Sequence, residues 1–171
     1  MSESSVHVQI RDEILRILKE DLVFNPVQGD KVKTIRPENI VFRKVSIVER
    51  DINKGNVLEG LPGIVVSTPF EELFNPGAGT VAHDVYRWSF LCQIVDKDHL
   101  DKTSNWDTYT TWQEMVTQRF QYVCLQNVDA LHCLVNSMSV DVVDERYWLK
   151  EQAFKSGIHI LTQPWIRGFG R

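Results

Sequence analysis

Three carboxylates and an imidazole fall within six residues at Asp96-Lys97-Asp98-His99-Leu100-Asp101. Carboxylate oxygens at such spacing can chelate a hard cation. The run lacks the turn glycine and the terminal glutamate of a calcium loop, and Lys97 and Lys102 compete for the same oxygens. It reads as a solvated turn between a strand and a helix. His83-Asp84 precedes the long strand, but a catalytic dyad there needs a nucleophile brought close in space, and none is marked by the sequence. His7, His132 and His159 are scattered. Gly77-Ala78-Gly79 is not followed by the Gly-Lys-Ser of a phosphate cradle, so its glycines supply backbone freedom to a loop. No nucleophile elbow, dinucleotide fingerprint or zinc-protease motif occurs. Cys92, Cys124 and Cys133 are odd in number and form no Cys-x-x-Cys pair, which fits neither a disulfide framework nor a zinc site. The expectation is a chain with no catalytic residues, no cofactor and no metal.

The elements that would carry these residues form a regular pattern. The second half of the chain reads strand, helix, strand, strand. Asp84 to Asp96 alternates over its whole length: Tyr86, Trp88, Phe90, Cys92 and Ile94 share one side, while Val85, Arg87, Ser89, Gln93 and Val95 share the other, with Leu91 the apolar exception. A helix with an aromatic stripe follows from Trp106 to Val123, with Ser104 or Asn105 as its cap and Asp107 at its positive end. Trp106 and Trp112 on that stripe are expected in the core. Ser137 to Asp144 and Gly157 to Thr162 read as closing strands, and Trp165 to Arg171 as a tail.

In the first half, Ile10, Ile14, Ile17, Leu18 and Leu22 recur at helical spacing. They predict a helix over 6–22, with Glu13 on the polar side and Asn25-Pro26 as its stop. A polar connector, 27–37, leads to a strand over 40–48. A charged link, 50–60, leads to a short strand, 63–68, buried on both faces. Residues 69–83 read as a loop, a length often functional inside a domain. The strands flanking it are expected to pair as a long hairpin.

A chain of 171 residues with 43% hydrophobic and 25% charged residues is expected to fold as a single domain, 1–171, with disordered residues 1–5 and a flexible tail, 167–171. Its net charge of −4 argues against a general nucleic-acid binder, although an acidic pore would let DNA slide past. No apolar run approaches the roughly 18 residues that span a membrane, and the first residues lack the pattern of a signal peptide. Cysteine usage suits a reducing, cytoplasmic setting during synthesis. The fold class expected is α+β: a largely antiparallel sheet of four or five strands flanked by two main helices.

With no chemistry marked, aromatics and arginines near element ends, in the long loop and in the tail become the candidates for function. Trp148 and Trp165 lie near element ends, and Arg167 and Arg171 flank Gly168 and Gly170 in the tail. Tryptophan and arginine are enriched at subunit interfaces. Phe70, Leu73 and Phe74 in the long loop are either pinned to the body or offered to a neighbour.

The order of elements, the strand Tyr86-Arg-Trp-Ser-Phe-Leu-Cys-Gln-Ile-Val95 and the ending Ser156-Gly-Ile-His-Ile-Leu161 resemble the tail-terminator and tail-completion proteins of long-tailed bacteriophages, the lambda-type terminators among them. The resemblance covers about Val6 to Ile166 and departs from short members in the connectors 27–37 and 50–60. It implies a structural virion protein, assembled in the host cytoplasm. Its copies would form a homo-oligomeric ring, a hexamer in the family, at the head-tail junction. Such a ring caps the tail tube, stops its elongation and gives the head connector or adaptor a docking surface, while DNA passes through without specific binding. Phe70, Leu73, Phe74, Trp148, Trp165, Arg167 and Arg171 would then be contact residues. Two alternatives stand beside this reading. One is a neck or adaptor ring at another position. The other is a small ligand-binding or enzymatic domain with a pocket under loop 69–83, using His83, Asp84, Asp98 and His99.

Overall fold

Alternation of apolar side chains over fifteen residues generates the central strand, β4 (His83–Lys97). The computed structural model describes residues 5–44, 60–68, 73–75, 83–97, 105–128, 132–140 and 153–167. In chain order its elements are α1 (Val6–Arg16), β1 (Ile40–Arg43), β2 (Gly63–Ser67), β3 (Leu73–Asn75), β4, α2 (Trp106–Phe120), β5 (His132–Val140) and β6 (Ala153–Arg167). A turn of π-helix, Ile17–Asp21, continues α1, and a 3-10 turn, Pro37–Asn39, precedes β1.

The architecture is α+β. Six strands make one sheet in the order β1-β2-β4-β6-β5, with β3 also paired to β4. All pairings are antiparallel except β1 with β2. Because β6 occupies one edge of β4, β2 and β3 lie end to end along the other. The sheet has more strands than the four or five expected, because β3 comes from the segment read as loop. β2 and β4 are antiparallel neighbours from Gly63↔Val95 to Ser67↔Leu91, and the chain between them contributes β3.

One face of the sheet carries both described helices. Ile64, Val66, Phe90, Cys92, Ile94, Phe154, Ile158 and Ile160 meet Ile10, Ile14, Ile17 and Leu18 of the first helix. Tyr109, Trp112, Val116 and Phe120 of α2 join the same cluster. Full burial of each such side chain contributes about 1.5–3 kcal/mol. The rings interlock: Tyr109 stacks on Phe154 with centroids 3.9 Å apart, and Trp112 meets Phe24 edge to face. On the opposite face Val65, Gln93 and Val95 are also buried, outside that cluster. All five residues of β2 are buried, as expected of a strand covered on both faces.

Several boundaries differ from the sequence reading for physical reasons. The first helix begins with Ser5 Oγ accepting from the Val8 amide, and its helical turns end at Asp21, with Leu22 already extended, four residues before Pro26. β6 starts earlier than expected and continues through Pro164 to Arg167, so Trp165 and Arg167 are strand residues and not tail. Proline lacks an N–H but tolerates extended backbone. The β4–β6 ladder shows the matching gap: pairing runs His83↔Arg167 to Val85↔Trp165, then resumes at Trp88↔Thr162. Beside the gap, Thr162 Oγ1 donates to the Trp88 carbonyl at 3.0 Å. β5 begins at His132, five residues before the expected strand start at Ser137, and shifts register between Val135 and Ser137. The described part of β1 is 40–43, and the rest of the expected strand 40–48 lies outside the described residues apart from Lys44.

Candidate functional site

The backbone register brings together four of the candidate contact residues. In β3, Leu73 lies opposite Arg87 and Phe74 opposite Tyr86. In β6, Trp165 lies opposite Val85 on one side and His132 on the other, and Arg167 lies opposite His83. Asn75 also pairs with Val85, so one row, Asn75–Val85–Trp165–His132, crosses four strands. Tyr86 and Arg87, where the β6 ladder is interrupted, are the residues that β3 holds. Leu73, Phe74, Trp165 and Arg167 thus sit at one end of the sheet, where β3, β4, β6 and β5 run side by side. Phe70, Trp148 and Arg171 lie outside the described residues.

The suspects for chemistry separate. His83 and Asp84 open β4 opposite Arg167 and Ile166, while Asp98, His99 and Asp101 lie outside the described residues. Asp96 is buried: its Oδ2 accepts from Tyr109 Oη at 2.9 Å, and its Oδ1 accepts from the Lys97 amide at 2.8 Å. Among the described residues no group of three metal-ligating side chains forms a cation site. The Cys92 thiol is fully buried on the helix-covered face, and burial pushes its pKa up to about 12, far from the value of a nucleophile. Cys124 is exposed.

The structure holds polar clusters that sequence reading missed. Glu13, placed on the polar side of its helix, is only 4% exposed. Its carboxylate accepts from Arg16 Nε at 2.9 Å and Nη2 at 3.0 Å, and from Asn127 Nδ2 at 2.8 Å. The Arg16 hydrogen bond holds the Glu13 carboxyl below its ordinary range against the opposing effect of burial. Arg16 also reaches Asp21, which Arg119 at the end of α2 clasps, and those hydrogen bonds hold Asp21 low as well. The spacing of Glu13 and Arg16 by three residues was the available signal. A second clasp joins the connector to the start of α2: Asp30 accepts from the Thr108 amide, and Trp112 Nε1 donates to the Asn25 carbonyl at 2.9 Å. Asn105 sits at the cap position, yet its Oδ1 accepts from the Lys31 amide instead of capping α2. Nothing local in the sequence marks these contacts, because their partners lie about 75 residues or more away.

Two concavities are open on the described surface. A cleft of about 650 Å³ lies between the connector and Gly60-Leu61, bounded by Pro26, Val32, Lys33, Arg36 and Asn39. A groove of about 500 Å³ runs along the outer side of α2, bounded by Thr110, Gln113, Glu114, Thr117 and Gln118. Neither is lined by Leu73–Asn75 or His83, the described residues of the segment 69–83 under which the ligand-binding alternative placed its pocket. Trp106, expected in the core, is 45% exposed at the start of α2. No protein-family model matches the chain, and no curated protein matches it.

Proposed function

We propose that the chain is a structural subunit of a ring at the head-tail junction of a tailed bacteriophage, and not an enzyme. The observation that supports this most is the convergence of Leu73, Phe74, Trp165 and Arg167 at one end of the β3–β4–β6–β5 platform. These four of the seven residues singled out as contacts, from residue type and place in the chain, occupy neighbouring backbone positions, as a subunit surface requires. The element order that carried the resemblance supports it as well. The action of such a ring is geometric. Copies joined by heterologous contacts close into a ring. The ring covers the end of the tail tube that would otherwise recruit further tube subunits, and it presents a face to the connector above while DNA passes through. The protein would reside in the virion.

Electron microscopy of lysates from a tailed phage lacking this gene tests the reading. Overlong tails are expected, because tube growth has lost its stop. Tails of normal length beside separate heads would move the protein to an adaptor ring elsewhere in the neck. Normal joined virions would overturn both positions.

A further inference from the structure

Charge is distributed unevenly along this acidic chain. Residues 30–44 hold five cations, Lys31, Lys33, Arg36, Arg43 and Lys44, against two carboxylates, Asp30 and Glu38, a local excess of +3. The whole chain is −4, so the remainder carries −7. Lys31, Lys33, Arg36 and Lys44 are exposed, while Val32 and Ile35 between them are buried in the core. The connector is therefore a fixed basic stripe and not a loose tether. The Phe24–Ile35 bridge, the Lys31 amide bond to Asn105 and the Asp30 bond to Thr108 hold it in place. Asp30 is occupied by those contacts, and Glu38 reaches Arg36 only at 3.8 Å with both side chains mostly exposed. Lys31 and Lys33 form no ion pair among the described residues. The cleft beside the stripe adds the apolar walls of Pro26, Val32 and Leu61.

The outer side of α2 has the opposite character. Trp106, Thr110, Glu114 and Gln118 recur every four residues, with Asp107 beside the first. Asp107 and Glu114 are exposed and form no ion pair among the described residues. The basic residue of this helix, Arg119, is held by Asp21. Gln113 lines the α2 groove beside Thr110, Glu114, Thr117 and Gln118.

We infer that the basic stripe 31–36 of one copy docks on the outer side of α2 of a second copy, with Lys33 and Arg36 facing Asp107 and Glu114. Charge complementarity selects this occupant: the rest of the same chain carries a formal net charge of −7, and the outer side of α2 exposes Asp107 and Glu114. Two stripes cannot face each other, because like charges repel, so each stripe meets the α2 side of another copy. Made once per interface, that contact is heterologous and closes into a ring where the rotation between copies allows it; made reciprocally, it gives a two-fold dimer. Trp106 and Arg36, of the residue types enriched at interface hot spots, sit on opposite sides of the contact. The inference rests on the ring reading and names the contact that would close the ring.

The test uses the full chain and light-scattering mass. At low salt the wild type is expected to form a closed oligomer whose mass falls as sodium chloride is raised, since exposed pairs are screened. Lys33→Glu with Arg36→Glu is expected to weaken self-association at least about tenfold, and so is Asp107→Lys with Glu114→Lys. All four sites are exposed, so melting temperatures near that of the wild type verify folding. A one-to-one mixture of the two charge-reversed chains is expected to regain the oligomer, because each stripe again meets an opposite surface. The inference is overturned if the wild type stays monomeric, if either reversed chain assembles as well as the wild type, or if the mixture does not recover. It is also overturned if the stripe substitutions abolish binding to a labelled DNA duplex and leave the oligomer intact, which would make the stripe a nucleic-acid surface. Tail length in the gene-deletion lysate reports on the ring reading separately: overlong tails with unaffected charge-reversed oligomers would sink this contact and keep the ring.

Discussion

Tyr109 Oη donates to Asp96 Oδ2 at 2.9 Å, from the first turns of α2 to the far end of β4. The carboxylate that heads the Asp96–Asp101 run is thereby occupied in holding a helix to the sheet. The same tyrosine stacks on Phe154 of β6, so one side chain fixes α2 against two strands. Tyr109→Phe keeps the ring and removes the donor while leaving a buried acceptor behind. The expected loss is about 1–3 kcal/mol, read as a lower urea midpoint at unchanged slope. A double-mutant cycle with Asp96→Asn isolates the pair; additive losses would show that the two residues do not interact.

The Glu13–Arg16 pair makes acid stability a specific readout. Arg16 lowers the Glu13 carboxyl in the folded chain below its reference value of 4.5. A depressed carboxyl contributes stability that is complete above the unfolded value and is lost as pH falls through the folded value. Glu13→Gln is expected to cost about 1–3 kcal/mol at pH 7, since it leaves Arg16 without its double acceptor. The gap between wild type and variant should stay constant down to about pH 5 and narrow below the usual carboxylate range. Urea unfolding at pH 7, 5, 4 and 3 measures it. A gap that widens on acidification would contradict the assignment of Glu13 as the charged partner.

What the sequence made legible was the local pattern. The alternation of Phe90, Cys92 and Ile94 and the spacing of Ile10, Ile14, Ile17 and Leu18 follow from periodicity alone, and each lies on the face expected. Non-local pairing was not legible. Leu73–Asn75 is too short to register as a strand until β4 is seen beside it, and the alternation that predicts a strand over Gly157–Thr162 stops short of Pro164, which β6 crosses with a gap in the ladder. Glu13 reads as solvent-facing because its burial depends on Asn127, more than a hundred residues away. Trp106 reads as core because it continues the aromatic stripe, yet it opens the helix and lies at its outer edge. Phe74 and Trp165 lie about ninety residues apart in sequence, and they share an end of the sheet only because β4 pairs with both of their strands.

Cys92 is expected to report on unfolding. With its pKa pushed up to about 12 from a reference of 9.0, the folded thiol stays protonated at pH 8 and does not react. Cys124, exposed, should be modified at once by a thiol reagent, and Cys92 only at the rate of unfolding. Peptide mass spectrometry over a labelling time course distinguishes the two, and equal rates would contradict the burial. The sign for stability also follows. The unfolded thiol ionises first, so stability is full below about pH 9 and declines as pH rises toward 12. Cys92→Val should flatten that decline.

Tyr122 occupies the left-handed region, with φ 55°, just past the end of α2 and with its side chain 74% exposed. A non-glycine residue there costs about 1–2 kcal/mol, and glycine gives back about 0.4–1 kcal/mol through the freedom it adds to the unfolded chain. Tyr122→Gly is therefore expected to stabilise the monomer by about 0.5–1 kcal/mol, which corresponds to a rise of about 1–4 °C in melting temperature for a chain of this size. Tyr122→Asn, tolerated in the same region, should gain less, because its side chain still opposes that conformation slightly. Tyr122→Ala separates the two contributions to the effect: it retains a Cβ in the strained region while removing the ring. If alanine and glycine stabilise equally, the relief comes from losing the ring and not from the backbone. If glycine alone stabilises, the strain at φ 55° is the cause. A loss of stability in both would mean that the ring contributes packing that outweighs the strain.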